Sequence, residues 1–127
     1  MRQNVSGGSP FEPIIGFSRA VRIGNAVHVA GTGPIGAENA DAATQARRTF
    51  EIIQKALEDA GAKLENVVRT RMFLTNVEDW EAVGQVHGAI FGNVRPAATM
   101  VVVAGLLNPS WRVEIEADAI IQNTEKE

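Results

Sequence analysis

Glu114, Glu116 and Asp118 alternate within Val113-Glu114-Ile115-Glu116-Ala117-Asp118-Ala119, a spacing that puts all three carboxylates on one face of a strand. Like charges so close repel, so cations, water or a ligand must face them. Pairing with Arg69, Arg71 or Arg112 is the plain solution. The sharper one makes Glu114 a carboxylate that orients water or transfers a proton in a cleft. His87 is the second candidate acid/base, although its place on an apolar helix face equally suits a packed, hydrogen-bonded histidine. His28 falls on a strand. Neither histidine has an acidic or histidine partner at metal-ligand spacing, so no metal site is expected. Gly31-Thr32-Gly33-Pro34-Ile35-Gly36 fits G-x-G-x-x-G after a strand, but the next helix opens several residues later. The acidic residue about twenty positions on, Glu51, lies inside that helix. These are read as turn glycines whose N–H groups could bind a small ligand, and no cofactor is expected.

Composition narrows the field. The chain has 127 residues, enough for one domain, with the apolar and charged fractions of an ordinary globule. Net charge is −3 with a pI near 5.4 and no basic run, which argues against nucleic acid or a membrane surface as partner. Without cysteine there is no disulfide, thiolate metal site or cysteine nucleophile; without tyrosine there is no phenol. No serine sits in a nucleophile elbow. The N-terminus lacks the apolar core of a leader and no apolar run approaches 18 residues, so the expected location is cytoplasmic.

The elements that must carry these residues follow from periodicity. Residues 1–13, polar with Gly7-Gly8-Ser9-Pro10, read as a flexible arm; 14–122 read as one domain and 123–127 as a tail. Ser18–Ile23 and Ala26–Ala30 form a hairpin around Gly24-Asn25, with Val27 and Val29 on one face. Asp41 caps a helix that ends at Gly61 and buries Ala43, Ala46, Phe50, Ile53, Leu57 and Ala60. Val67–Leu74 is a strand with Val68, Thr70, Met72 and Leu74 to one side and Val67, Arg69, Arg71 and Phe73 to the other. Thr75-Asn76-Val77-Glu78 has the form of a capping box for a second helix, reaching Phe91, with Trp80, Val83, His87 and Ile90 or Phe91 buried. Gly84 and Gly88 weaken that helix and call for close packing or a ligand. After Pro96, Ala97–Leu106 is apolar on both faces, as in a strand buried on both sides. The order is β-β-α-β-α-β-β. Two helices can cover only one face of such a sheet, and an identical subunit is the economical cover for the other.

Arg95-Pro96-Ala97 before an apolar strand and Val113-Glu114-Ile115-Glu116-Ala117 resemble the RidA/YjgF family. The likeness continues in Ile15-Gly16-Phe17-Ser18-Arg19-Ala20-Val21, in Gly31 with Pro34 and in Gln45-Ala46-Arg47, and spans about residues 13 to 121. It implies a chorismate-mutase-like α+β fold, a mixed sheet with two helices on one face, and a homotrimer with small-molecule clefts between subunits. Well-known members hydrolyse enamines and imines such as 2-aminoacrylate to 2-keto acids and ammonia. In them an arginine just after Pro-Ala grips the substrate carboxylate and a glutamate handles the water. Glu114 matches that glutamate, and Gly31 a backbone contact.

Elsewhere this chain departs from the pattern. Ala98 stands at the arginine position, Phe17 at a usual tyrosine, Gly84 at a common asparagine and His87 at a common tyrosine. A methyl group cannot replace a bidentate guanidinium, so standard deamination of 2-aminoacrylate is not expected. Arg95 is three residues away with the opposite parity, whereas Arg112 flanks Glu114 at about 6.6 Å along the strand and is the better stand-in. The cleft is expected to carry Glu114 and His87 as catalytic groups, with Phe17, Gly31, Thr32, Gly84, Arg95, Ala98, Thr99 and Arg112 around the ligand. The expected function is hydrolysis of an imine or enamine with an altered substrate. The alternative is a non-catalytic trimer that binds metabolites or protein partners. An endoribonuclease or translation inhibitor comes third, since basic patch and aromatic platform are both missing.

Overall fold

A computed structural model describes residues 1–122; the expected tail, 123–127, lies outside the described residues. The elements are β1 (Arg2–Val5), β2 (Ala20–Ile23), β3 (Ala26–Thr32), α1 (Ala42–Asp59), β4 (Val67–Leu74), α2 (Trp80–Phe91), β5 (Ala97–Val102) and β6 (Val113–Ile120). They form one six-stranded sheet ordered β1-β2-β3-β6-β4-β5, antiparallel throughout except for the parallel β4–β5 pair. That parallel pair requires a crossover, which α2 supplies.

β6 lies near the middle because its alternation suits a half-covered sheet. Val113, Ile115, Ala117 and Ala119 are buried against the helices, and the carboxylates point to the open face. α1 packs on β3, β6 and α2, burying Ala46, Phe50, Ile53 and Leu57. The Asp41 side chain accepts from Thr44 N–H at 2.8 Å at its start. Gly61, at φ 89°, turns the chain away at its end. Gln3 and Arg22 donate to the Asp59 and Ala60 carbonyls left free there.

Several local expectations are corrected. The stretch read as a flexible arm, 1–13, contains β1, an edge strand on β2, and the start of a π-helical turn, Glu12–Gly16. Its polarity misled because an edge strand needs few apolar residues; Val5 alone is buried. On β4 the faces switch at the start: Val67 is buried and Val68 exposed, because a register shift against β6 falls between Val67 and Arg69. α2 begins after a 3₁₀ turn, Val77–Asp79, capped by Asn76 rather than Thr75. Trp80 is 55% exposed, and Val86 takes its place in the buried stripe. β5 is an edge strand within the single chain, with Val101 and Val102 at 42% and 50% exposure rather than buried on both sides. Gly84 has Met100 Cε within 4.0 Å of where a methyl would stand, while at Gly88 such a methyl would meet open space. Nothing among the described residues explains Gly88.

Candidate functional site

The predicted site residues fall into two clusters. The first surrounds Glu114 on the open face. Its carboxylate lies against Gly31, where an added Cβ would meet Glu114 Oε2 and oblige the carboxylate to shift, so glycine leaves the space this placement uses. Arg19 holds the Gly31 carbonyl and the Thr32 hydroxyl: its Nη1 donates to Gly31 O and Thr32 Oγ1, each at 2.8 Å. Thr32 Oγ1 in turn donates to Ala30 O at 2.7 Å. Phe17 completes the cluster, with the Arg19 guanidinium 5.5 Å from its ring centroid.

The electrostatics here are those of a carboxylate drawn out of water. Burial, and then the neighbouring Glu116, push the Glu114 pKa upward, against the opposing pull of Arg19. Burial likewise lowers the Arg19 pKa, while Glu12 and Glu114 favour its charged form. Burial would also raise Glu12. Bonds from Gly7 N–H (2.9 Å) and Ser9 N–H (3.3 Å), the Ser6 hydroxyl and the Arg19 charge outweigh it and hold this carboxyl below its usual value.

The rest of the carboxylate ladder is neutralised by the partners that strand register supplies. Arg71 Nη1 bridges Glu116 at 3.4 Å and Asp118 at 3.0 Å. His28 Nδ1 meets Asp118 at 2.7 Å from β3. For Asp118, burial works upward, but the bonds from His28 and Arg71 hold the pKa down. Of the three arginines offered by the sequence, Arg71 is therefore the ladder's partner. Arg69 donates instead to Thr99 Oγ1 at 2.8 Å. Arg112 is committed elsewhere: its Nη2 and Nε contact the two oxygens of nearly buried Asp79 at 2.8 and 3.0 Å. Its backbone N–H donates to the buried side chain of Gln45. A guanidinium so held is a poor stand-in for the missing substrate clamp.

The second cluster lies on the helix side of β4 and β5. Ala98 pairs with Thr70, whose Oγ1 is 2.9 Å from His87 Nε2. The imidazole packs between Phe50 and Phe91, at centroid distances of 5.9 and 4.8 Å, and burial lowers its pKa, favouring the neutral ring. Gly84 belongs here too, beside Met100. Thr99, by alternation, sits with Arg69 on the open face, opposite to Ala98. Arg95 occupies the turn after α2 at φ 55°, exposed, with its Nε donating to Gly92 O.

Within one chain, then, Glu114 and His87 do not meet. β6 and β5 are two strand spacings apart, about 10 Å, and the two clusters use opposite faces. Beside the first cluster is a shallow depression of about 320 Å³, lined by residues including Phe17, Ser18, Val21, His28 and Ala30. Among the described residues, no group of three or more His, Asp or Glu side chains could hold a metal ion, and no helix is long and apolar enough to cross a membrane. No spacing argument singles out Arg19. Its signals are a place in the stretch 15–21 that carries the family likeness and a charge immediately before the small Ala20 at the start of a strand.

A family model described as Endoribonuclease L-PSP matches residues 8–121. The chain belongs to this family, also called RidA/YjgF. A solved structure of a YjgF/YER057c/UK114 family member from Mycobacterium tuberculosis superposes with a TM-score of 0.90 at 49% identity, covering 95% of this chain and 100% of that one. An uncharacterised protein of Streptomyces coelicolor is 36% identical over 121 residues, 92% of this chain and 90% of the relative. The 3-aminoacrylate deaminase RutC of Acinetobacter baylyi is 34% identical over 117 residues, 88% and 91% of the two chains. The α+β fold expected from the resemblance is thus the RidA/YjgF fold, with β1 at one edge added to the expected order of elements.

Proposed function

We propose that this RidA/YjgF protein acts on a small molecule in clefts between copies of a homotrimer, hydrolysing an imine or enamine that carries no carboxylate at the Ala98 position. The observation that carries this reading is Glu114: a half-buried carboxylate of raised pKa set against the Gly31 backbone. Imine hydrolysis needs a group that both takes and returns a proton. Water adds to the C=N carbon as its proton passes to the carboxylate. That proton then goes to nitrogen to give the carbinolamine; the carboxylate next takes the hydroxyl proton and passes it to the amine as the C–N bond breaks, so a carbonyl forms and ammonia or an amine leaves. A carboxyl whose pKa is raised toward neutrality can do both.

Assembly into a trimer would let the Glu114 cluster of one copy face the Ala98–His87 cluster of the next. The exposed apolar edge at Val101 and Val102, with Leu107 at 95% exposure, supports a covered edge. The name of the Acinetobacter relative supports deaminase chemistry, and Ala98 supports a change of substrate. His87, neutral and bonded to Thr70, would shape the cleft wall and offer a proton donor or acceptor there. A cytoplasmic location is part of this proposal.

The second reading, a trimer that binds a metabolite without turning it over, is favoured by one observation. Arg112, the best-placed substitute for the missing arginine, is held by Asp79. Ribonuclease action comes last, since the ladder lines the open face with carboxylates and the net charge is −3.

The test is release of ammonia and a carbonyl product from freshly generated 2-aminoacrylate and from a carboxylate-free imine, by wild type, Ala98→Arg and Glu114→Gln. Wild type is expected to act on the carboxylate-free imine, Ala98→Arg to gain 2-aminoacrylate, and Glu114→Gln to lose the wild-type activity. Full wild-type activity on 2-aminoacrylate would overturn the substrate argument. Silence of wild type and Ala98→Arg on both substrates would favour the binding reading.

A further inference from the structure

The geometry points to Arg19 as the positioning residue of Glu114. It fixes the backbone on which the carboxylate rests, and it supplies the buried positive charge that keeps that carboxylate available as a base. Arg19 is only 7% exposed, and an arginine is not buried without compensation. Two of its contacts are directional: one nitrogen donates to both Gly31 O and Thr32 Oγ1. These tie the β2 edge of the site to the segment of β3 that Glu114 overlies. Because Glu114 Oε2 occupies the space a Gly31 side chain would fill, any drift of Gly31 moves the floor beneath the carboxylate. Arg19 and Glu114 therefore grip the same residue, one through its carbonyl and the other over its Cα.

The charges around Glu114 leave this task to Arg19. Along its own strand, Glu116 repels it and is itself occupied by Arg71 from β4. Directly across on β4 stands Phe73, which offers no charge. Further along the sheet, His28 of β3 and Arg71 serve Asp118. At the other end, Arg112 is bound to Asp79. On the far side of Arg19 lies Glu12, whose charge competes with Glu114 for the same guanidinium. Glu12 is in turn fixed by the Gly7 and Ser9 N–H groups, so the turn that follows β1 sets how much of the Arg19 charge reaches the site.

This inference takes its importance from the reading of Glu114 as the proton-transfer group, but its test needs no substrate, so failure of that reading would leave the result intact. The Glu114 side-chain carboxyl, labelled with ¹³C and assigned by its loss in Glu114→Gln, is titrated by NMR in wild type, Arg19→Gln, Arg19→Lys and Glu12→Gln. The midpoint is expected to move up in Arg19→Gln, to stay nearer wild type in Arg19→Lys, and to move down in Glu12→Gln, which removes the competing anion. A purely structural role for Arg19 would lower the melting temperature and leave the midpoint in place. An unchanged midpoint in folded Arg19→Gln overturns the proposal. Should Arg19→Gln not fold, unchanged midpoints in both Arg19→Lys and Glu12→Gln overturn it equally.

Discussion

Glu114 and His87 stand on opposite faces of one sheet, the first over Gly31 on the open side and the second bonded to Thr70 beneath the helices. A single copy cannot bring both to one small ligand, so joint action requires a second copy to complete the cleft. Sedimentation should therefore show a trimer. Val101→Lys, which places an ammonium on the exposed apolar edge strand, should give monomers, because burying that charge unpaired costs several kcal/mol. A wild-type chain that sediments as a monomer at micromolar concentration would remove the shared cleft.

The pKa of Glu114 makes a statement about stability. Its folded value is raised above the usual 4.5, so the native state holds this proton more tightly than the unfolded chain. That contribution is fully present below the unfolded pKa and is lost as pH rises through the folded pKa. Glu114→Gln, which mimics the protonated form, should gain stability relative to wild type as pH rises from 4 to 8. Melting temperatures of the two proteins across that range check the sign; parallel curves would refute it.

His87 has the opposite dependence. Burial depresses its pKa below 6.5, so the unfolded chain takes up the proton first, and stability is lost as pH falls from there through the folded value. Wild type should lose more stability between pH 7.5 and 5 than His87→Gln, whose amide can still bond to Thr70. Urea midpoints at the two pH values measure this. An equal loss would mean that the imidazole is solvated in both protonation states.

Strong periodicity made much of this visible in advance. The alternation of Val113 to Ala119 and the three-four spacing from Ala46 to Leu57 each admit one arrangement against a core, and both elements occur where the pattern sets them. That Glu114 rests against Gly31 is a finding of the structure. What stayed hidden depends on neighbours in space. β1 owes its order to the free edge of β2, and the β4 face switch to a register shift against β6. The commitment of Arg112 to Asp79 depends on where α2 begins, and the role of Arg19 on the approach of β3. The expected cleft held His87 and Glu114 together; their separation within one chain is set only when the helices choose one face of the sheet and His87 bonds to Thr70 beneath them.

Two glycines offer a contrast that tests the packing on each side of the molecule. At Gly33, which is buried, an added Cβ would run into the six-membered ring of Trp111, and an indole cannot fold away as a flexible side chain could. Gly33→Ala should lose about 1–3 kcal/mol by overpacking and shift the Trp111 fluorescence. At Gly88, exposed on α2, an added methyl would meet open space, and replacing an unencumbered helix glycine gains about 0.5–1 kcal/mol. Gly88→Ala should therefore raise the unfolding midpoint in urea. If it instead weakens assembly or ligand binding without unfolding the chain, α2 presents Gly88 to a neighbouring copy or a ligand, and the cleft extends beyond Gly84 along that helix.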